Sequence, residues 1–353
     1  MSLNGRVGNL YFAHDKVCVF YDWRIQINMQ EHIATTADGW NIHLHRYPPR
    51  DDGPGQPLLF VHGMGANRYN FDLNERLSLA RAVSAAGFDA WVVELRGRGL
   101  SPVPAGKKAE WNFEDFLHQD LRAAVDLVRK ITGQPMHWVG HSMGGMLGVA
   151  FSEVFGEQDL RSLILFATPL MFGKKQFMIK AWGIVAQVHR LLPTMDQEKW
   201  GRMMLPLMSR SSKALDFFMR YLANPDNIDD STVPEIFKKL VANESSSIIL
   251  QFSDWVRSGE FRSADKSFSY SEALQRVRVP CFFVCGSNDR MAPPQYTSKL
   301  IDELGSETVR MMVLSMENGF SIDYGHGDLI IGKYAPMEVY PLVIDWLNTL
   351  EAG

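Results

Sequence analysis

Cysteine is scarce: Cys18, Cys281 and Cys285 are the three in 353 residues, too few and too odd in number for a disulfide framework. Their spacing is neither CxxC nor joined by a second pair, so no zinc site and no other metal is expected. This scarcity fits a reducing compartment, and a cytoplasmic location is expected. Long apolar runs are missing as well. The longest, Leu163 to Phe172, falls well short of the ~18–20 residues that cross a bilayer. Asn4, Arg6, Asn9, His14, Asp15 and Lys16 interrupt every early apolar run, so no export leader is legible. Neither charge sign forms a block. With 36 Lys plus Arg against 40 Asp plus Glu, the net charge of −4 leaves no footprint for nucleic acid. Repeats, low-complexity tracts and a Gly-rich phosphate loop are absent too, and no cofactor is expected.

What is present is a globular composition, 46% hydrophobic and 22% charged. At ~100–200 residues per domain the length allows one large or two medium domains. Short β-rich runs alternate with helix-period runs, the pattern of a mainly parallel sheet covered by helices. Glu31 to Tyr47 reads as an antiparallel hairpin turning at Asp38-Gly39. Strands are expected at Pro57–Val61, Ala90–Leu95, Met136–Gly140, Leu163–Ala167, Val279–Val284 and Val309–Leu314. In Asn112–Ile131, Phe113, Phe116, Leu117, Leu121, Val125 and Val128 recur at helical spacing, and Gly133 follows as a stop. Between 171 and 275 strands disappear and helical stripes follow one another. Ala181 to Leu192, Leu215 to Leu222, Val233 to Val241 and Ile249 to Val256 are the four. The expected layout is therefore a core of residues 1–170 and 276–353 interrupted by a helical cap, 171–275.

Gly140-His141-Ser142-Met143-Gly144 fits G-x-S-x-G between an expected strand and a small-residue helix. The bare pattern is weak; its placement gives it meaning. A sharp strand-to-helix turn needs glycines two before and two after the serine, and it projects the hydroxyl above the sheet edge. Serine is a poor nucleophile at neutral pH and requires a base and a group to orient that base. His326, after Val309–Leu314, and Asp289, after Val279–Val284, occupy loops at strand C-terminal ends, which share one edge in an open α/β sheet. Asp323 and Asp328 are rival acids beside His326. Two backbone amides suit a developing oxyanion, that of Met143 after the serine and that of Met64 in the glycine loop His62-Gly63-Met64-Gly65. Asn67 and Tyr69 continue that loop. His43 and His45 share a strand face but lack a third ligand at recognisable spacing, and His62 and His141 suit a scaffold role.

These motifs resemble the α/β-hydrolase superfamily from about Glu31 to Leu350. Besides HGMG, GHSMGG, the GSNDR acid loop and the GHGD histidine loop, Glu94 to Ser101 resembles that family's D-x-R-G-x-G-x-S. The resemblance implies an eight-stranded, mostly parallel sheet flanked by helices, a Ser142, Asp289, His326 triad, and Met64 and Met143 as oxyanion amides. Trp255 to Phe261 and His326 to Gly332 are similar to the cap end and histidine segment of acid lipases. Those lipases are secreted and carry H-x-D-F-x-W-G, where Leu329 and Ile331 stand here.

The inserted stretch is rich in thioethers and aromatics: Met171, Phe172, Phe177, Met178, Trp182, Met203, Met204, Met208, Phe217, Phe218 and Met219. Such a cap over a serine forms a greasy acyl pocket, or a contact for a lipid surface or a second copy. The expected activity is hydrolysis of a small-molecule carboxylic ester with a medium or long acyl group. Acyl transfer through the same triad is one alternative, although the polyester synthases of this superfamily use Cys where Ser142 stands. A non-catalytic ligand-binding member of the fold is the other.

Overall fold

The computed structural model describes residues 28–50, 53–172, 194–195 and 220–351. The expected hairpin is present as β1 (Gln30–Thr35) and β2 (Asn41–Tyr47), and Gly39 takes the left-handed φ of 82° that its turn requires. Next come β3 (Pro57–Val61), β4 (Asp89–Glu94), β5 (Met136–His141) and β6 (Leu160–Phe166). Two short strands, β7 (Thr194–Met195) and β8 (Glu244–Ser245), precede β9 (Cys281–Gly286) and β10 (Val309–Leu314). Eight of these form one sheet in the order β1-β2-β4-β3-β5-β6-β9-β10. Pairing is antiparallel from β1 to β2 and from β2 to β4, and parallel across the rest.

Both faces are buried because neighbouring residues of each central strand serve different cores. Leu59, Val61, Trp91, Val93 and Trp138 join one apolar cluster, while Leu58, Phe60, Ala90, Val92 and Val139 join the other. The expected 112–131 helix is capped by Asn112, whose side chain accepts the Asp115 amide while Asp115 accepts the Asn112 amide. It passes through a π-helical stretch, Phe116–Leu121, before Arg122–Thr132, and ends on Gly133 at φ 71°. Strand ends shift by a few residues. β9 starts at Cys281 rather than Val279, since Pro280 has no N–H to give the ladder and contributes only its carbonyl, to Leu163.

The expectation of a strandless insertion is corrected. β7 and β8 pair antiparallel, Thr194 with Ser245 and Met195 with Glu244; two residues are too short for any alternation to be read. The helix expected near Ile249–Val256 runs from Ser246 to Ser258 and stops at Gly259 in the left-handed region. Trp255 on it meets Phe113 edge-on at 5.3 Å and Phe261 at 4.9 Å, which fastens the end of the insertion to the core. Phe172 packs on the same two insertion aromatics. The Ala181–Leu192 stripe, Leu215, Phe177, Met178, Met203, Met204, Met208, Phe217, Phe218 and Met219 lie outside the described residues, as does Cys18. Among the described residues no helix is long and apolar enough to cross a membrane.

Candidate active site

Ser142 occupies the junction between β5 and the Met143–Phe155 helix, at φ 52° and ψ −115°. This is a strained conformation for a residue with a side chain, costing of order 1–3 kcal/mol. The surrounding glycines are forced by contact. A Cβ on Gly140 would stand 2.4 Å from the Gly144 carbonyl oxygen, and one on Gly144 would stand 1.9 Å from that of Val61. The Ser142 amide donates to Phe166 O at 2.8 Å, so β6 also holds the turn.

His326 and Asp289 meet on the same sheet edge. Nδ1 of His326 lies 2.8 Å from Asp289 Oδ2, and both side chains are buried. Asp289 Oδ1 accepts the Met291 and Ala292 amides at 2.8 and 2.9 Å, which fixes the carboxylate plane. The two loops are stitched by the Asn288 amide donating to Tyr324 O at 2.8 Å. They approach so closely that a Cβ on Gly286 would lie 2.4 Å from the carbonyls of Tyr324 and Gly325. The rival acids do other work. Asp328 accepts the amides of Asn224 and Gly325 and the Asn227 side chain, and burial raises its pKa. Asp323 accepts the Ser287 hydroxyl and the Met316 amide.

The glycine loop lies against the serine: a Cβ on Gly63 would be 3.2 Å from His141 Nδ1 and 3.5 Å from Ser142 Cβ. Met143 opens its helix, so its amide has no acceptor within that helix. His62 is buried and held neutral, its pKa lowered to about 3 mainly by desolvation. Its Nε2 accepts the Leu95 amide, which leaves the proton on Nδ1 to donate to Gly63 O at 2.9 Å. His141 is likewise held to about 3 by burial and then by the nearby His326. Its Nδ1 lies 2.9 Å from Asn70 Oδ1 and its Nε2 3.2 Å from His326 O, so the single N–H of the neutral ring donates to one of these two acceptors at a time. Both rings are thus scaffold, as expected. His45 is buried packing that bonds Glu94 at 3.2 Å, and Asn67 accepts the Tyr69 amide and donates to Lys239 O at 2.7 Å.

Asn70 and Glu244 were invisible in the sequence, and Arg98 was legible only as a motif letter. Asn70 accepts the Gly63 amide at 3.1 Å as well as bonding His141; it sits in no motif. Glu244 accepts the Gly65 amide at 3.1 Å and forms a fully buried ion pair with Arg98. Only Arg98 had a signal, as part of the Glu94–Ser101 motif, and its partner lies 146 residues on.

Residues 56–320 match the sequence family described as alpha/beta hydrolase fold. The chain is 24% identical to triacylglycerol lipase 2 of Arabidopsis thaliana, over 88% of this chain and 82% of that one. It is 26% identical to the gastric triacylglycerol lipase of Homo sapiens, over 90% and 87%. Among solved structures, a soluble variant of monoglyceride lipase from Saccharomyces cerevisiae superposes with a TM-score of 0.63 at 15% identity, covering 94% of this chain and 99% of that one.

Proposed function

Because the chain belongs to the α/β-hydrolase fold family, we propose that it cleaves carboxylic esters with Ser142 as nucleophile, His326 as base and Asp289 as the orienting carboxylate. The observation that carries this reading is the strained serine elbow on the same sheet edge as a buried His326–Asp289 pair at 2.8 Å. With its Nδ1 proton given to Asp289, His326 keeps Nε2 free to take the Ser142 proton as Oγ attacks the carbonyl carbon. Charge then builds on the carbonyl oxygen, where the amides of Met64 and Met143 serve as donors. His326 returns the proton to the leaving alkoxide, the ester C–O bond breaks, and an acyl-Ser142 remains. Water, deprotonated by His326, attacks that acyl group and releases the acid and the free serine.

Residues 171–275 act as a cap in this reading. Its support is that the described part of the insertion bonds to both catalytic loops: Leu222 O accepts the Gly327 amide at 2.8 Å, and Lys239 O accepts from Asn67. A medium or long acyl group is the proposed substrate, supported by kinship with proteins named as triacylglycerol lipases.

Intact-protein mass after fluorophosphonate treatment, beside Ser142→Ala, tests the chemistry. One adduct on the wild type alone is expected, with turnover of the variant reduced by several orders of magnitude. p-Nitrophenyl esters of increasing chain length then size the pocket. Near-normal turnover by Ser142→Ala would overturn the mechanism, and an optimum at acetate would overturn the acyl preference.

A further inference from the structure

The glycine loop is held from outside the core sheet at both backbone polar groups of Gly65, in two successive peptide planes. The Gly65 amide donates to Glu244 Oε2 at 3.1 Å, and the Gly65 carbonyl accepts the Ala242 amide at 2.8 Å. Gly65 adopts φ 64°, a left-handed conformation that glycine takes without strain. Glu244 is itself immobilised. Its Oε1 accepts the Ser245 amide at 2.9 Å and the Trp111 indole at 3.3 Å, and its Oε2 pairs with Arg98. Arg98 donates to Arg96 O at 2.8 Å and stacks its guanidinium over Phe116 at 4.8 Å. Neither partner of the pair is exposed to solvent.

We propose that Glu244 is a positioning residue for the oxyanion hole: by fixing the Met64–Gly65 peptide plane it aims the Met64 amide, one plane earlier, at the carbonyl oxygen of the bound ester. The assignment rests on the ester-hydrolase reading above and deepens it. A loop amide contributes only where it points in the transition state, and a misplacement of about 1 Å costs on the order of 100-fold. A buried ion pair is by itself weak evidence of stability, and removing either member strands the other's charge. The Gly65 bond belongs to Glu244 only.

The test exploits that asymmetry. Glu244→Met and Arg98→Met each break the ion pair and strand one buried charge, but only Glu244→Met removes the acceptor of the Gly65 amide. Enzyme concentrations are set by fluorophosphonate titration, so unfolded molecules do not count. Glu244→Met should lower kcat by about 10- to 100-fold with KM within about threefold, and Arg98→Met, in which the Ser245 amide and the Trp111 indole still hold the Glu244 carboxylate, should lose at least about threefold less. Two inhibitors add a readout that a structural role would not move. An alkyl trifluoromethyl ketone adds Ser142 Oγ to its carbonyl carbon, passes the serine proton to His326 and leaves an anionic oxygen; the matching methyl ketone binds without that addition. Glu244→Met should weaken the trifluoromethyl ketone by the same 10- to 100-fold and leave the methyl ketone unchanged.

If Glu244→Met does not fold, Arg98→Met/Glu244→Met replaces it, since no charge is stranded and the acceptor is still absent. Equal loss in the Glu244 and Arg98 variants, or equal weakening of both ketones, overturns the assignment. A wild-type protein with neither turnover nor a Ser142 adduct instead removes the hydrolase reading, and this assignment with it.

Discussion

Asp289→Asn is the sharpest perturbation of the site, because the two carboxylate oxygens have separate duties. Oδ1 accepts the Met291 and Ala292 amides, and Oδ2 meets His326 Nδ1 at 2.8 Å. Asparagine must keep its oxygen on the two amides, since its NH2 there would face two donors. The NH2 is therefore turned toward Nδ1, which must then accept. That forces the ring proton onto Nε2, the atom needed as base, and kcat should fall by about 10⁴. The loss corresponds to ~5.5 kcal/mol of transition-state stabilisation at 1.36 kcal/mol per tenfold. Stability should change little, by under ~1 kcal/mol or about 2 °C in Tm, because both loop amides keep an acceptor. Steady-state hydrolysis of a p-nitrophenyl ester, together with the fluorophosphonate labelling rate, measures the first quantity; a thermal melt measures the second. A folded variant that loses less than tenfold would refute the orienting role. Asp323→Asn is the control, and its kcat should stay within about threefold, since Asp323 serves Ser287 and Met316.

Gly144→Ala should fail to fold or lose more than about 3 kcal/mol in urea titrations, because its Cβ would lie 1.9 Å from a backbone oxygen that cannot yield. Ser142→Gly should abolish turnover yet raise stability by about 0.5–2 kcal/mol through relief of the φ 52° strain; an unchanged or lower Tm would contradict that strain. Glu153 is buried, its carboxylate oxygens find no hydrogen-bond partner among the described residues, and desolvation pushes its pKa up to about 9. The fold therefore holds a proton that the unfolded chain releases above 4.5, so this group's contribution to stability declines as pH rises from 4.5 toward about 9. Glu153→Gln should remove that decline and stabilise the protein by about 1–3 kcal/mol at pH 8 with little effect at pH 4.5; equal effects at both would exclude the titration. His62 and His141 act in the opposite sense. Each is neutral in the fold down to about 3 and charges in the unfolded chain below 6.5, so urea midpoints should fall as pH drops from 6.5 toward 3.

The sheet was legible because its central strands are apolar on both faces. Pro57–Val61 and Val309–Leu314 were read to the residue, and the other strands to within a few. Errors arose where a backbone group, rather than a side-chain pattern, set the boundary, as at Pro280. The helix expected at 112–131 was legible through its apolar spacing and its Gly133 stop, while the Asn112 cap emerged only from the structure. Its π-helical middle left no mark, since a one-residue widening does not change which face is apolar.

Ser142 was readable for a different reason. Its conformation admits only glycine at 140 and 144, so sterics write the elbow into adjacent letters. The His326–Asp289 contact spans 37 residues and was expected from loop position at strand ends and from the resemblance that the GSNDR and GHGD segments carry. Glu244 illustrates where such inference stops. It reaches Gly65 across 179 residues of chain, from a two-residue strand with no periodicity, and its carboxylate is an ordinary letter in Asn243-Glu244-Ser245. A strained turn constrains the residues that make it, whereas a buried hydrogen bond constrains a distance in space. The glycines of the Ser142 turn are therefore visible in one sequence, and the Glu244 bond to Gly65 becomes visible only once the chain is folded.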